Sequence, residues 1–378
     1  MTNHKINPIL ELQSFGQSVW FDHIRRGMLV SGELKALIDA GEIRGVTSNP
    51  TIFEKAIGSG TDYDEAMARL VKDGLDAAAV FDALAIEDIQ TTTDLFRPVY
   101  EESDGGDGYV SIEVNPLLAN DTTSTISEAK RLWEAVGRPN LLVKIPATQE
   151  GVPAIEQSIA DGININITLI FALDRYAEVM EAYLKGLERR AEAGQPIDRI
   201  ASVASFFVSR VDTAVDPTLE EILRAEDRRA GQAAALRGKA AIANARLAYA
   251  RFREVFAGAR WDGLKEKGAR LQRPLWASTS TKNPAYYDIM YVEELIGPDT
   301  VNTVPPATLD AYRDHGHPAL RLEEGLSEAR DQLQALEELG IHMDDVTRRL
   351  EEEGVAAFSK SFETLLGTLE KKRSTLSA

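Results

Sequence analysis

The chain alternates between short apolar runs and longer segments with helical spacing, and this alternation restricts the folds open to it. Segments such as 124–135, 173–193 and 237–257 carry apolar residues at three- and four-residue steps, as amphipathic helices do. The apolar runs between such segments have the length and composition of buried strands, and they lie at residues 18–23, 43–49, 109–115, 141–146, 163–170, 200–207, 275–280 and 301–305. We therefore predict an α/β protein built on an eight-stranded parallel β/α (TIM) barrel.

Two helical segments exceed what a minimal barrel needs. One covers residues 64–100, after the second predicted strand, and the other runs from 320 to about 372. No Pro/Ser-rich linker and no internal repeat divides the chain. We expect a single barrel domain over residues 1–378, with 320–378 as a helical C-terminal extension.

The charge and the lack of cysteine exclude several classes of function. Sixty Asp and Glu against 42 Lys and Arg give a formal charge of -18, which repels nucleic acid and anionic membranes. With no cysteine, the chain has no disulfide, thiol nucleophile or Cys-ligated metal. No apolar run is long enough for a membrane span, and the N-terminus does not resemble a signal peptide. We expect a soluble cytoplasmic protein that binds neither nucleic acid nor membrane.

Cofactor and metal motifs have little support in the sequence. The glycine patterns of dinucleotide-binding and phosphate-binding loops are absent, and so is the Gly-x-Ser-x-Gly nucleophile motif. His315 and His317 form the only local histidine pair, and we interpret them as part of a loop rather than as metal ligands. The glycine-rich residues 104–108 read as a flexible turn. We expect no metal and no organic cofactor.

A lysine in the fourth predicted strand is the first candidate for chemistry. The two-residue period of a strand places Leu142, Lys144 and Pro146 on one face, and that face points into the barrel if the other meets helices. Burial favours the neutral amine, which is the nucleophilic form. A lysine that reaches to water at the strand end is the alternative for this residue taken alone.

Neighbouring strands also direct polar side chains toward the barrel axis. Residues 163–169 alternate Ile or Leu with Asn164, Asn166 and Thr168, while Glu113 in the third strand and Asp22 in the first share the inward face. One such residue could belong to a structural ion pair. Four strands that each contribute a carboxylate, an amide or an amine favour a functional site over a structural network.

The carboxyl ends of barrel strands are where catalytic groups gather in this architecture. Asn49 lies at the end of the second predicted strand, Arg210 follows the sixth, and Ser278 lies near the end of the seventh. An arginine beside hydroxyl groups suits a phosphate, because its planar donors match phosphate oxygens. A salt bridge of Arg210 with Asp212 or Asp216 is the alternative interpretation.

Five segments together resemble the transaldolases, enzymes of the pentose phosphate pathway that work through a lysine Schiff base. The segments match the family's signatures in order, and the similarity covers nearly the whole chain; they are WFD at 20–22, GVTSNP at 45–50, VSIEV at 110–114, LVKIPAT at 142–148 and NINITL at 164–169. The length of the chain resembles the long bacterial branch, which also occurs fused to a sugar-phosphate isomerase domain. We expect no isomerase activity.

The resemblance implies transfer of a dihydroxyacetone unit from sedoheptulose 7-phosphate to glyceraldehyde 3-phosphate, without a cofactor, giving erythrose 4-phosphate and fructose 6-phosphate. It implies that Lys144 attacks the ketose carbonyl, that Glu113 and Thr168 position a proton-relaying water, and that Asp22 removes the hydroxyl proton that triggers cleavage. The implied substrate-binding residues are Asn49 and Asn166 for the three-carbon unit, and Ser205, Phe207, Arg210 and Ser278 for the pocket and the phosphate.

The sequence departs from the family at one position. The better known branch carries a second arginine two residues after the serine matched by Ser278, where this chain has Ser280, and Lys282 is the nearest candidate replacement. Two other functions stay open: a class I aldolase that releases free dihydroxyacetone, and a non-catalytic barrel that binds phosphorylated sugars. We expect small-molecule sugar phosphates as partners and a monomer or a homodimer.

Overall fold

The computed structural model describes residues 7–58, 60–226 and 228–376. Within these ranges, eight strands pair in parallel in sequence order, and the eighth pairs with the first, so the sheet closes into a barrel. The strands are β1 Gln17–Phe21, β2 Gly45–Val46, β3 Tyr109–Glu113, β4 Leu141–Pro146, β5 Ile165–Ile170, β6 Ser202–Phe207, β7 Gln272–Ala277 and β8 Thr300–Val304. The structure confirms the predicted fold class.

Helices surround the barrel and follow most of its strands. They are α1 Pro8–Ser14, α2 Arg26–Ser31, α3 Glu33–Asp39, α4 Pro50–Gly58, α5 Asp64–Lys72, α6 Ala77–Glu102, α7 Thr122–Val136, α8 Gly151–Ala160, α9 Leu173–Glu192, α10 Ser209–Arg224, α11 Ala230–Leu236, α12 Ala240–Val255, α13 Ala259–Lys265, α14 Met290–Glu293, α15 Pro306–His315, α16 Leu326–Glu338 and α17 Met343–Leu376, with a short 3₁₀ helix at Pro116–Leu118.

Local sequence signals set the ends of these helices, as α7 illustrates. The Asp121 side chain accepts a hydrogen bond from the Ser124 amide and so satisfies a free N–H of the first turn. Gly137 ends the helix in the left-handed region at φ 61°, which glycine adopts without steric cost. Both ends of the helix that connects β3 to β4 are thereby defined by local sequence signals.

The predicted strand positions are correct in order and differ in their bounds. The second strand comprises only Gly45 and Val46, although the sequence pattern extends over 43–49. The seventh begins at Gln272, three residues before the predicted start, and ends at Ala277 because Ser278 adopts φ 56°, which no regular strand allows. Residues 278–280 therefore belong to the loop that follows β7.

Both predicted helical additions are present. Residues 64–100 form α5 and most of α6, and the segment after 320 contains α16 and α17. Residues 1–6, 377 and 378, at the ends of the expected single domain, lie outside the described residues. None of the helices described is long and apolar enough to cross a membrane.

The N-terminal end of the barrel is closed by an ion-pair cluster around Asp107. Its carboxylate accepts a hydrogen bond from Trp20 Nε1 at 2.8 Å and from the Ser18 hydroxyl. Arg44 lies 3.2 Å and Arg273 lies 3.5 Å from the same carboxylate. Asp107 is 4 % exposed, so this part of the predicted flexible turn is buried and fixed. The closed end leaves the opposite, carboxyl end of the strands as the side on which a site can open.

Candidate active site

Two neighbouring strands bring a buried amine and a buried carboxylate together. In the β3–β4 register Glu113 lies opposite Lys144, and Lys144 Nζ is 3.3 Å from Glu113 Oε2. The amine also donates to the Ser48 carbonyl at 3.1 Å. The two side chains are 5 % and 4 % exposed, and burial raises the pKa of Glu113 while the nearby Lys144 opposes that rise. Lys144 therefore points into the barrel, as the strand period predicts.

Asp22 lies just beyond β1 and is oriented by a chain of hydroxyl groups. Thr47 Oγ1 donates to Asp22 Oδ1 at 2.6 Å, and the Thr47 and Thr303 hydroxyl oxygens are 2.7 Å apart. Burial raises the pKa of the Asp22 carboxyl, and the Thr47 hydrogen bond and the charge of Lys144 reduce that rise. Asp22 is therefore a carboxyl group near the lysine whose pKa lies above its usual value.

Thr168 contributes a hydroxyl group without a protein partner. It lies in β5 opposite Pro146 of β4, and its buried Oγ1 has no hydrogen-bond partner among the described residues. The next residue, Leu169, has φ 59°, a conformation rare for a residue other than glycine. Buried hydroxyl groups in proteins are almost always hydrogen-bonded, so Thr168 is a group available to a bound molecule.

The opposite wall of the site is cationic. Arg210 is the second residue of α10, and its guanidinium lies 5.3 Å from the centre of the Phe207 ring. Lys282 is exposed at the rim, where its Nζ donates to Ser280 Oγ at 2.6 Å. Partial desolvation in the cavity lowers the pKa of both groups, and the charge of Arg210 lowers that of Lys282 further. An anionic ligand in the cavity that both residues line would offset the desolvation of Arg210 and the repulsion that it exerts on Lys282.

The two carboxylates considered above as salt-bridge partners of Arg210 have other partners, and the only carboxylate charge that raises the pKa of Arg210 among the described residues is that of Glu353. Asp212 accepts hydrogen bonds from Tyr291 and from the Ala241 amide, at 2.7 and 2.8 Å. Asp216 accepts them from Tyr286 and from the Gly238 amide, at 2.6 and 3.0 Å. The structure therefore contradicts the alternative in which Arg210 is a salt-bridge partner of these residues.

These groups surround a cavity of about 130 Å³ at the carboxyl end of the strands. Nine of the eleven site residues predicted from the sequence line it, and they are Asp22, Asn49, Lys144, Thr168, Ser205, Phe207, Arg210, Ser278 and Lys282. Glu113 reaches the site through its contact with the Lys144 amine. The structure thus brings together an amine, two carboxylates, hydroxyl groups and two cations.

Asn166 does not line this cavity. It lies opposite Lys144 in the β4–β5 register and is fully buried. Its Nδ2 donates to Ser111 Oγ at 3.0 Å, and its Oδ1 accepts from Ser205 Oγ at 2.7 Å. In this structure Asn166 therefore links β3, β5 and β6 beneath the site, with both groups of its amide occupied.

A larger cavity of about 300 Å³ lies beside the site, behind Glu113. Apolar side chains of α4, α6 and α17 form much of its wall, including Phe53, Phe81 and Phe362. Neither Lys144 nor Arg210 lines it. Glu113 lines this larger cavity, whereas Lys144, Asp22 and the two cations line only the smaller one.

Sequence reasoning missed three side chains at the site. Thr47 lies beside Asp22 and belongs to the GVTSNP segment, so the family resemblance of that segment could have indicated it. Thr303 lies in β8, and the two-residue period of that strand could have placed it inward. Phe358 lies in α17, far along the chain, and its ring centre is 5.7 Å from Lys144 Nζ. No local pattern distinguishes it from any core phenylalanine.

No group of three or more metal-ligating side chains occurs in the part of the chain that the structure describes. His315 ends α15, where its ring nitrogens lie 3.2 Å from Asp314 and 3.0 Å from Asp288. Hydrogen bonds to these carboxylates raise the pKa of His315. The interpretation of both histidines as part of a loop is therefore wrong for His315, which is the last residue of a helix, whereas His317 lies in the segment after it.

The chain is similar to known proteins over nearly its whole length. A family model described as transaldolase/fructose-6-phosphate aldolase matches residues 19–369. Among similar proteins, the Transaldolase of Trichodesmium erythraeum is 46 % identical over 98 % of both chains. That of Thermobifida fusca is 51 % identical over 95 % of this chain and 96 % of its own. That of Mycobacterium ulcerans is 49 % identical over the full length of both. The family match spans the barrel, the site residues and most of α17, and the chain therefore belongs to the transaldolase/fructose-6-phosphate aldolase family.

Proposed function

We propose that the protein is a transaldolase that moves a dihydroxyacetone unit from sedoheptulose 7-phosphate to glyceraldehyde 3-phosphate through an imine on Lys144. The products are erythrose 4-phosphate and fructose 6-phosphate. The observation that carries the proposal is the buried Lys144 amine, 3.3 Å from Glu113, in a cavity that also holds Asp22 and two cations. The names of the similar full-length proteins support the same activity.

Imine formation is the first step. Lys144 Nζ attacks the ketone carbon of the donor, the carbonyl oxygen takes up a proton, and the resulting carbinolamine loses water to give a protonated imine. Glu113 contacts the amine, and the Thr168 hydroxyl is free to hold a water. Burial raises the pKa of Glu113, and a carboxyl group in contact with the reacting amine can act as general acid and general base. We therefore assign the proton transfers of this step to Glu113, with Thr168 orienting the water.

Carbon–carbon cleavage follows on the imine. Asp22 accepts the proton of the hydroxyl group on the carbon that leaves as the aldehyde. The electrons of that bond move into the protonated imine, which becomes an enamine, and the aldehyde leaves. Attack of the enamine on the acceptor aldehyde reverses these movements. The protonated imine is the electron sink, so the chain's own lysine supplies the electrophile.

The cationic wall suits the substrate phosphate. Arg210 lies in the first turn of α10, so its side chain and the N-terminal end of that helix present positive charge to the same region. Lys282 and Ser278 line the same cavity. We assign Arg210 as the main phosphate ligand, with Lys282 in place of the second arginine of the better known branch.

The other predicted substrate contacts keep narrower roles. Asn49 Oδ1 accepts a hydrogen bond from the Ile52 amide at 3.0 Å, which leaves its amide nitrogen for the three-carbon unit. Phe207 forms a wall beneath Arg210. We propose that Ser205 and Asn166 hold the base of the site, since they bond to each other at 2.7 Å. We retain a cytoplasmic location, one domain and a monomeric or homodimeric state as proposals.

Two alternatives differ from this proposal in their products. A class I aldolase would use the same lysine and release dihydroxyacetone to water, and the family description includes fructose-6-phosphate aldolase. A non-catalytic sugar-phosphate barrel would need the cations but no buried amine with two carboxylates. The full-length relatives named Transaldolase favour transfer over both.

Product analysis distinguishes the three functions. The protein is incubated with fructose 6-phosphate, with and without erythrose 4-phosphate, and sedoheptulose 7-phosphate and free dihydroxyacetone are measured. A transaldolase forms sedoheptulose 7-phosphate only when the acceptor is present. Equal release of dihydroxyacetone with and without acceptor would identify an aldolase, and no turnover of any kind would reject an enzymatic role.

A further inference from the structure

Helix α17 crosses the open end of the barrel and is fixed on both sides of it. On the β5 side, Gly354 packs against Leu169 so closely that a Cβ on this glycine would lie 2.8 Å from a Leu169 methyl group. On the β2 side, Ser361 Oγ and Thr51 Oγ1 are 2.8 Å apart. Farther along the helix, Lys372 binds the Ile57 and Gly60 carbonyls and the Asp64 carboxylate. The helix segment between these anchors therefore has a fixed position above the site.

Phe358 is the residue that this segment presents to the reacting lysine. It is 5 % exposed, it lines the cavity, and its ring centre lies 5.7 Å from Lys144 Nζ. A ring in this position has two effects. It keeps water from the carbon that becomes attached to the lysine, and its face attracts a cationic nitrogen, which the protonated imine is.

The transfer reaction needs such a contact because the enamine has two fates after the first aldehyde leaves. Attack on an acceptor aldehyde completes the transfer. Alternatively, the enamine carbon takes up a proton, water adds to the imine carbon, and the carbon–nitrogen bond breaks, which frees dihydroxyacetone and restores the lysine amine. The second fate consumes one water molecule, so its rate depends on how well water reaches the imine carbon.

We propose that Phe358 is a specificity-determining residue that suppresses hydrolysis of the three-carbon imine and so favours transfer over release. The inference rests on the proposed transaldolase function and adds to it the group that decides between the two fates. Phe358 lies on a helix outside the barrel strands, so the barrel supplies the reactive groups and α17 supplies the barrier to water.

The same helix offers a matched control. Phe362 lies one turn further along α17, and its ring packs edge-on against Phe81 at 5.6 Å. It is 6 % exposed and lines the neighbouring cavity, which Glu113 also lines, and not the cavity that holds Lys144 and Phe358. Phe362→Leu removes the same ring from the same helix, so it reproduces any loss of helix packing without removing the ring over the lysine.

The test measures the ratio of two rates on fructose 6-phosphate for the wild type, Phe358→Leu and Phe362→Leu. One is the release of free dihydroxyacetone without an acceptor, and the other is the formation of sedoheptulose 7-phosphate with erythrose 4-phosphate. We expect the ratio of release to transfer to rise about tenfold in Phe358→Leu, the effect of about 1.4 kcal/mol in relative barrier heights. It stays near the wild-type ratio in Phe362→Leu, since poorer helix packing lowers both rates together.

The possible results separate the inference from the proposed function. An unchanged ratio in Phe358→Leu, or an equal rise in Phe362→Leu, overturns the role of Phe358 while wild-type transfer persists. Absence of transfer in the wild type rejects the proposed function itself. Phe358→Met, which retains a side chain of similar length without the ring, gives the same comparison if the leucine variant does not fold.

Discussion

Lys144 and Glu113 lie opposite each other in the β3–β4 register, and Lys144 Nζ is 3.3 Å from Glu113 Oε2. Both residues lie on neighbouring strands that are joined by backbone hydrogen bonds, so their separation does not depend on a loop. A site built on rigid strands keeps its reacting groups in place at little entropic cost. The proton donor and the nucleophile of the proposed first step are therefore neighbours before any substrate binds.

Borohydride reduction identifies the lysine that forms the imine. With fructose 6-phosphate present, we expect reduction to attach a three-carbon adduct to the peptide that contains Lys144, because that amine is the one enclosed with two carboxylates. Mass spectrometry of the digested protein locates the adduct. Lys144→Met is the control and should carry none. An adduct at Lys282 or another lysine would contradict the assignment.

The two carboxylates are expected to act at different steps. Asp22→Asn should abolish cleavage while the imine still forms, because proton removal by Asp22 follows imine formation. Glu113→Gln should slow imine formation itself, since Glu113 contacts the amine. Single-turnover experiments with borohydride trapping distinguish the steps. If both variants stop at the same stage, the proposed division of roles fails.

Much of the site follows from strand periodicity, because a strand in a closed barrel has only two faces. Lys144, Glu113 and Thr168 could be placed inward from the sequence for this reason. The precise ends of β2 and β7 could not, since Ser278 leaves the strand through a left-handed backbone that depends on its surroundings. The position of Phe358 over Lys144 could not be predicted from the sequence either, because it depends on how α17 packs across the barrel.

The phosphate contacts should differ in strength and in salt dependence. Arg210→Ala should raise the KM for fructose 6-phosphate strongly, because a hydrogen bond to a charged group contributes on the order of 1.5–3 kcal/mol of free energy. Lys282→Ala should have a smaller effect that fades with added salt, because this lysine is exposed at the rim. KM values at two ionic strengths decide both points. An unchanged KM in Lys282→Ala at low salt would reject its role as the second cation.

Asp212 should make the stability of the protein depend on pH. Burial raises its pKa from the usual 3.8 to about 6, so the protonated form fits the folded state better than the ionised form. The stabilisation associated with this raised pKa is present below the unfolded pKa and is lost as pH rises through about 6. The free energy of unfolding of Asp212→Asn, relative to that of the wild type, should therefore rise by about 1 kcal/mol from pH 5 to pH 8.

Chemical unfolding of wild type and Asp212→Asn at both pH values measures this change. A comparison of the variant with the wild type at one pH alone is not sufficient. Loss of the Tyr291 and Ala241 hydrogen bonds changes the stability of the variant by an amount that is independent of pH. A difference between the proteins that stays constant from pH 5 to pH 8 would show that Asp212 does not titrate in this range.

Activity should survive exhaustive treatment with EDTA. In the proposed mechanism the protonated imine accepts the electrons of the broken bond, so no metal ion is needed for that step. Transfer activity before and after chelation, with a zinc-dependent aldolase as a positive control for metal removal, measures the effect. A loss that zinc or magnesium restores would favour a metal-dependent mechanism.

The position of α17 late in the chain also bears on when the site can be completed during synthesis. The helix is translated after all eight strands, yet it contacts Thr51 and Asp64, which follow β2. A nascent chain with a complete barrel therefore still lacks the ring over Lys144. If Phe358 has the proposed role, a chain synthesised only as far as β8 would therefore leave Lys144 open to water, and efficient transfer would require the later segment around Phe358.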